Sequence, residues 1–301
     1  MNGKINTNWR ANLPGTSVLT ISGADTVGFL QGQLSNDMHA LDDTRCQWSA
    51  YHQPDGRVLA VALVLLQGNE ASLILPTGIV QDIRDRMSRY VLRAKVEFSI
   101  ANGLCGLGGA NLAAALPALP IPQPGCVTRT TGGLLLAGYN GQRILACGPP
   151  DSADWQLLND ALTEQPETEW RLADIRAGIP RVTTANQARY TAQMLNLDLI
   201  GAISFSKGCY AGQEIIARTQ NLGKIKRRLC RLGSATEITG DEVSVANGKK
   251  VGEILNRQKS PGDDQPAWEY LAVIRHDQRQ ADLYNGGTPL IPLDLPYPVP
   301  G

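Results

Sequence analysis

Helical periodicity stops near residue 222 of this 301-residue chain and does not return. Beyond that point, short runs rich in β-forming residues alternate with turns, including Asn-Gly turns at residues 247–248 and 285–286. Short strands at close spacing are typical of a small closed barrel, because closure leaves no strand edge unpaired. We therefore predict that residues 223–301 form a C-terminal β-barrel of about six strands.

Residues 1–222 mix helical patterns with hairpin patterns. The apolar runs 46–51 and 58–66 flank a Pro-Asp-Gly turn, in which proline fixes φ and glycine supplies a positive φ, so we predict a hairpin. Apolar residues repeat at helical spacing over 79–91, and a strand is predicted over 91–100. Hairpins interspersed with helices predict an α+β domain with mainly antiparallel sheets.

Composition excludes several classes of protein. Apolar residues make up 43% and charged residues 19%, as in ordinary globular chains. Basic and acidic residues balance at 28 each, so we expect neither a membrane partner nor a stable nucleic-acid complex. The six cysteines are scattered without a CxxC pair, which fits a reducing cytoplasm. The oligomeric state stays open.

Metal and hydrolase sites find little support in the sequence. The three histidines are far apart, and the cysteine spacings are not those of a zinc site, so no metal site is expected. No Gly-x-Ser-x-Gly elbow is present. A cysteine–histidine pair would need Cys209 and a distant histidine, and nothing in the sequence favours it.

The KGCYAGQE motif, residues 207–214, holds the residues of this chain that are best suited to chemistry. Cys209 stands at a glycine-bounded turn that leads into a short helix, near Lys207. Glu214 and Arg218 are one helical turn apart. A cation and a helix N-terminus near a thiol favour a reactive thiolate, whereas the alternative is a small buried cysteine.

Two further features leave alternatives open. Aromatic residues suit a flat ligand such as a pterin or a nucleobase, although each alone is more often part of a core. The residues concerned are Trp48, Tyr51, Trp170, Tyr190 and Tyr210. The basic run 224–228 could hold a phosphate or a polyglutamate tail, or it could be a solvated linker.

The KGCYAGQE motif, followed by Ala217 and Arg218, resembles the signature of the YgfZ-type folate-binding proteins. That family belongs to the wider aminomethyltransferase (glycine-cleavage T-protein) fold. Further stretches that resemble the family lie at 21–25, 29–33, 55–57, 90–93, 177–180, 193–197 and 203–205. The resemblance therefore covers nearly the whole chain.

The resemblance implies an α+β folate-binding domain followed by a β-barrel, divided here as 1–222 and 223–301. It implies tetrahydrofolate as cofactor and iron–sulfur enzymes or assembly proteins as partners. Cys209 would be the functional cysteine, and Lys207 would be a second catalytic residue. The folate contacts implied are Trp170, Tyr210, Gln213, Glu214 and Arg218. Arg176 stands where aminomethyltransferases place a pterin-anchoring glutamate, and an arginine cannot accept the pterin's N–H donors.

Three functions follow, in order of support. The first is a folate-dependent accessory factor for assembly or repair of [4Fe–4S] enzymes, including radical enzymes that modify tRNA, with or without turnover of its own. The second is a tetrahydrofolate-dependent aminomethyl or methyl transferase, against which Arg176 counts. The third is a non-enzymatic, RNA-associated binding module that uses the run 224–228.

Overall fold

The computed structural model describes residues 8–149, 151–261 and 266–300. The helices are α1 (Thr26–Gln31), α2 (Thr77–Ser88), α3 (Leu112–Ala115), α4 (Ala153–Ala161), α5 (Glu167–Ala177) and α6 (Gln213–Leu222). The strands are β1 (Trp9–Asn12), β2 (Thr16–Ser22), β3 (Cys46–His52), β4 (Val58–Gln67), β5 (Glu70–Pro76), β6 (Glu97–Ala101), β7 (Leu104–Gly108), β8 (Val127–Arg129), β9 (Leu135–Asn140), β10 (Arg143–Cys147), β11 (Thr163–Glu164), β12 (Arg227–Ser234), β13 (Glu242–Val245), β14 (Lys250–Lys259), β15 (Trp268–Arg275), β16 (Leu283–Asn285) and β17 (Thr288–Leu293).

Two open sheets precede the barrel. One has the strand order β11-β1-β7-β10-β9-β8, in which only the short β1–β11 pair is parallel among the described pairs. The other has the order β3-β4-β5-β2-β6. The fold is therefore α+β with mainly antiparallel sheets, as predicted. The predicted hairpin is β3–β4, and α2 supplies the helix predicted over 79–91.

The first sheet contains four strands that the sequence patterns did not predict, β1, β7, β8 and β11. Strand β7 carries two glycines where large rings pack, one of them the ring of Trp9 on β1. A Cβ on Gly106 would lie 2.2 Å from the Trp170 ring, and a Cβ on Gly108 would lie 2.3 Å from the Trp9 ring. The prediction of a strand over 91–100 was wrong for its first half, because β6 begins only at Glu97. An irregular segment follows α2 instead.

The C-terminal part is a closed six-stranded barrel of order β12-β15-β14-β13-β16-β17, in which β17 pairs back onto β12. The predicted barrel and its strand number are confirmed. Its core holds Tyr270, which is fully buried and whose hydroxyl lies 3.0 Å from the Ser234 hydroxyl. Burying a tyrosine with its hydroxyl paired avoids the cost of an unsatisfied polar group.

The chain divides into two compact units, the first of Met1–Gln31, Asp37–Trp48 and Ala62–Trp170, the second of Gly32–Asn36, Ser49–Val61 and Arg171–Gly301. The second unit contains the barrel, α6 and the KGCYAGQE motif. The predicted domain boundary between residues 222 and 223 stays a prediction. No helix in the described ranges is both long enough and apolar enough to cross a bilayer.

Candidate functional site

The KGCYAGQE motif is held against the β3–β4 turn by two glycines in contact. Gly212 precedes α6 with φ +80°, and a Cβ there would lie 2.6 Å from the Gln53 carbonyl oxygen and 2.9 Å from the Gly56 Cα. Gly56 has φ +77°, and its own Cβ would lie 2.9 Å from the Ile215 Cβ. Both positions require glycine for their φ and for the close approach of the two backbones. The turn therefore fixes where α6 begins.

Cys209 lies exposed just before the Tyr210–Gln213 turn that leads into α6. All six cysteines lie in the described part of the chain, and none of the other five is exposed. Burial raises the pKa of the Cys46 thiol to about 12 and that of Cys105 to about 11. Burial also raises the pKa of Cys147 and Cys230. Since thiolates are the nucleophiles and ligands, Cys209 is the cysteine most open to chemistry with a partner.

Lys207 is buried rather than projecting into solvent. Its ammonium donates to the Leu34 carbonyl at 2.7 Å and to the Asn36 carbonyl at 2.9 Å. It also lies 5.1 Å from the centre of the Tyr210 ring, within the range of a cation–π contact. Lys207 therefore ties the motif to residues 34–36, and its structural role is to position the turn that carries Cys209.

A buried histidine lies beside the motif. His52 is 1% exposed, and its ring centre is 6.2 Å from that of Tyr210. Neither ring nitrogen has a hydrogen-bond partner among the described residues. Burial lowers the pKa of His52 to about 3 and raises the pKa of Tyr210 to about 12, so both side chains are neutral at neutral pH. No sequence pattern predicts this contact, because His52 and Tyr210 are far apart in the chain.

The base of α6 is joined to the barrel through the segment 193–198. Gln193 donates to the Ile216 carbonyl at 2.8 Å. Asn196, at φ +57°, exchanges two hydrogen bonds with the backbone of Leu229, at 3.0 and 3.3 Å. Asn is among the few residues that adopt a left-handed conformation readily. Residues 193–197 (QMLNL) therefore connect the helix that follows the motif to the barrel, and sequence spacing does not predict this connection.

A buried ion pair strengthens the same region. Arg228 contacts Asp198 through both nitrogens of its fork, at 2.6 and 2.9 Å, and both side chains are nearly inaccessible. Arg228 also donates to the Gln193 carbonyl at 3.0 Å. Removing one partner of such a pair costs about 3–5 kcal/mol, because the other charge is left buried. Arg228 is therefore a structural member of the basic run 224–228.

Arg176 pairs with a carboxylate of the barrel. Its Nε and Nη2 lie 2.9 and 2.8 Å from Glu269 Oε1. Arg231 donates its own Nε and Nη2 to Glu269 Oε2, at 2.9 and 2.6 Å. Burial alone raises the pKa of Glu269, but the hydrogen bonds from Arg176 and Arg231 outweigh it and hold that pKa below its usual value. Arg176 thus anchors α5 to the barrel.

Trp170 lies in the core of the first unit and is only 3% exposed. Its ring centre is 4.7 Å from that of Tyr139, and the Arg143 guanidinium carbon is 4.6 Å from the Trp170 ring centre. Trp9 packs against it edge-on at 6.4 Å. A direct folate contact for Trp170 stays a prediction, and these neighbouring side chains would have to move for a ligand to reach its ring.

The residues at the start of α6 suit a pterin better than Arg176 does. A pterin needs acceptor oxygens for its N–H groups, and Arg176 offers donors only. Gln213 is half-buried, and its amide and the exposed Glu214 carboxylate both offer acceptors. Arg218, one turn further, is exposed and suits a carboxylate of the ligand. The donor and acceptor types of these three side chains fit folate, and the individual contacts stay predictions.

In the ranges that the structure describes, no three His, Cys, Asp or Glu side chains come together as a metal-binding group. Cys209 is thus presented singly, at an exposed turn, with its neighbours fixed by backbone contacts.

Comparison with known proteins finds relatives that carry the same name. The chain is 30% identical over 253 residues to the tRNA-modifying protein YgfZ of Pectobacterium carotovorum, covering 79% of this chain and 76% of the relative. It is 28% identical over 299 residues to the YgfZ protein of Photorhabdus laumondii, covering 93% and 89%. No family model matches the chain.

A solved structure supports the fold. The glycine cleavage system aminomethyltransferase T from Bartonella henselae superposes with a TM-score of 0.76 at 13% identity, covering 96% of this chain and 86% of that chain. At this identity the likeness establishes the fold alone. The α+β part with its barrel is an aminomethyltransferase-like fold.

Proposed function

Because the chain belongs to the YgfZ family of tRNA-modifying proteins, we propose that it is a folate-dependent accessory factor for [4Fe–4S] enzymes, including radical enzymes that modify tRNA. The observation that carries the proposal is the presentation of Cys209. It is the one exposed thiol of six, on a turn fixed by Gly212 and by the buried ammonium of Lys207. We assign Cys209 as the reactive or transiently ligating thiol.

The surroundings of Cys209 support contact with a partner protein. Phe205 is 47% exposed and Ile215 is 36% exposed, on either side of the cysteine in the sequence. We propose that a partner protein contacts these two side chains when it reaches Cys209. A rigid turn that presents one thiol suits brief contact with an iron–sulfur enzyme or an assembly protein, because little ordering is needed on binding.

Tetrahydrofolate is the proposed cofactor, and when bound it supplies a carrier for one-carbon groups. On this chain, Gln213 and Glu214 would accept hydrogen bonds from the pterin, Tyr210 would line the site, and Arg218 would hold a carboxylate. Arg176 is assigned to the Glu269 ion pair instead. The family's folate site would therefore be built here with its acceptors on α6.

Folate binding is tested by titrating tetrahydrofolate against the tryptophan fluorescence of the purified protein. We expect saturable binding that Arg218→Ala weakens about tenfold, since one charge-assisted contact is lost. Arg84→Ala, an exposed arginine of α2 paired with Asp85, is the matched control and should bind as the wild type does. Absence of saturable binding by the wild-type protein would leave the fold intact and remove folate from the proposal.

One-carbon transfer is the alternative function, favoured by the fold that the chain shares with an aminomethyltransferase. Such an enzyme needs a carboxylate at the folate nitrogens, and the Arg176–Glu269 pair leaves a guanidinium at the family position instead. Turnover of a methylene donor by the purified protein would favour the transferase. Turnover absent under conditions where folate binds would favour the accessory factor.

A further inference from the structure

A basic cavity lies at the entry to the barrel, within the second unit. It has a volume of about 920 Å³ and is lined by residues 223–228, residues 275–277 and Pro300. Residues 215–222 of α6 separate it from the KGCYAGQE motif by about 12 Å of helix. The proposed folate contacts on α6 do not line this cavity, so it is a separate feature of the molecule.

Three cations of the cavity carry uncompensated charge. Lys224, Lys226 and Arg227 are exposed, and none has an ion-pair partner among the described residues. The other two arginines differ, since Arg228 is held by Asp198 and Arg275 by Asp277, at 3.0 and 2.6 Å. With these two pairs neutralised, the lining has an excess of three positive charges.

The backbone register forces two of the arginines together. Arg227 of β12 lies directly opposite Arg275 of β15, and the His276 amide donates to the Lys226 carbonyl at 2.9 Å to extend the pairing. Like charges directly opposite in antiparallel strands are destabilising. Asp277 offsets only one of the two guanidinium groups. An anion between them would turn this repulsion into two favourable contacts.

We propose that this cavity binds a small ligand that carries a chain of phosphates, such as a nucleoside di- or triphosphate or an inorganic polyphosphate. Arginine forks match phosphate oxygens in pairs, and several adjacent cations suit several linked phosphates. The volume falls within the range of small-molecule sites. A long RNA strand would need a continuous basic track, whereas this chain has no net charge. The inference does not depend on the proposed function.

The test measures binding by calorimetry, with inorganic tripolyphosphate as the probe and full-length protein in the cell. A pentaglutamate peptide and a single-stranded RNA oligonucleotide are titrated in parallel. We expect tripolyphosphate to bind with one site per chain and more tightly than either of the other two. No binding would overturn the proposal. If pentaglutamate binds as tightly as tripolyphosphate, the proposed selectivity for phosphate is wrong. If the RNA binds more tightly than tripolyphosphate, the proposal of a small ligand is wrong.

Charge-reversal variants test whether tripolyphosphate binds in this cavity. Lys226→Glu/Arg227→Glu should weaken tripolyphosphate binding at least about tenfold, since it removes two charge-assisted contacts. Lys249→Glu/Lys259→Glu changes the net charge equally at exposed positions outside the cavity, and it should retain wild-type affinity. If the first variant fails to fold, Lys224→Gln/Lys226→Gln gives the same comparison with a milder change. Equal losses in the cavity and control variants would overturn the site.

Discussion

Replacing Arg176 with glutamine tests the structural role assigned to the residue that departs from the aminomethyltransferase pattern. In Arg176→Gln, Glu269 loses both contacts from Arg176 at Oε1. It keeps the Ser260 hydroxyl at Oε1, 3.1 Å away, and both contacts from Arg231 at Oε2. The Glu269 side chain is 2% exposed, so the loss falls on a buried charge. We therefore expect the variant to be less stable than the wild type.

The expected loss of unfolding free energy follows from the burial of the ion pair and from the contacts that Glu269 keeps. Breaking a fully buried pair costs about 3–5 kcal/mol. Arg176 is 44% exposed and Arg231 still neutralises the carboxylate, so solvent screening and the second partner reduce the loss to about 1–2 kcal/mol. Arg86→Gln breaks an exposed pair with Asp82 on α2 and should cost no more than about 0.5 kcal/mol.

The depressed pKa of Glu269 also predicts how this loss of stability depends on pH. The pairing depresses the pKa of Glu269 below the ordinary value of 4.5, so its stabilisation is fully present above pH 4.5. It is lost as the pH falls through the lower pKa of the folded state. Urea unfolding of the wild type and of Arg176→Gln should therefore differ at neutral pH and converge in acid. A loss equal to that of Arg86→Gln, or one independent of pH, would refute the assignment.

Three further predictions concern the motif and the neighbouring His52. Gly212→Ala should cost about 1–3 kcal/mol in urea unfolding because of its φ and the Gln53 carbonyl, whereas Gly208→Ala, with open space at its Cβ, should cost less than half as much. Native protein treated with iodoacetamide should be labelled first at Cys209, as peptide mapping would show, and faster labelling of another cysteine would contradict the exposure. His52 should make the protein less stable as pH falls below 6.5, because the unfolded chain binds a proton that the buried ring takes only near pH 3; His52→Leu should flatten that slope.

Local patterns predicted the barrel because its turns and short strands are encoded in adjacent residues. The β3–β4 hairpin was predicted for the same reason, through its Pro-Asp-Gly turn. Strand β7 escaped prediction because Gly106 and Gly108 weaken its strand pattern, and these glycines leave room for the rings of Trp170 and Trp9. A glycine that makes room for a distant ring leaves no local signal.

The sequence predicts the local backbone around Cys209 but not the long-range contacts that hold it. The motif indicated Cys209 at a tight turn before a helix, which the structure has. The burial of Lys207 could not be predicted, because its carbonyl partners lie over 170 residues earlier in the chain. The contact between Gly56 and Gly212 and the neighbourhood of His52 and Tyr210 are equally long-range. Arg176 differs again, since its partner Glu269 belongs to the barrel and no spacing rule joins them.

The functional claim for Cys209 is tested most directly by complementation in a bacterial host that lacks its own YgfZ protein. The readout is the level of a tRNA nucleoside that a radical [4Fe–4S] enzyme modifies, measured at equal amounts of folded protein. We predict that the wild-type chain and Cys126→Ser, a half-buried cysteine, restore the modification and that Cys209→Ser does not. Full restoration by Cys209→Ser would contradict the account.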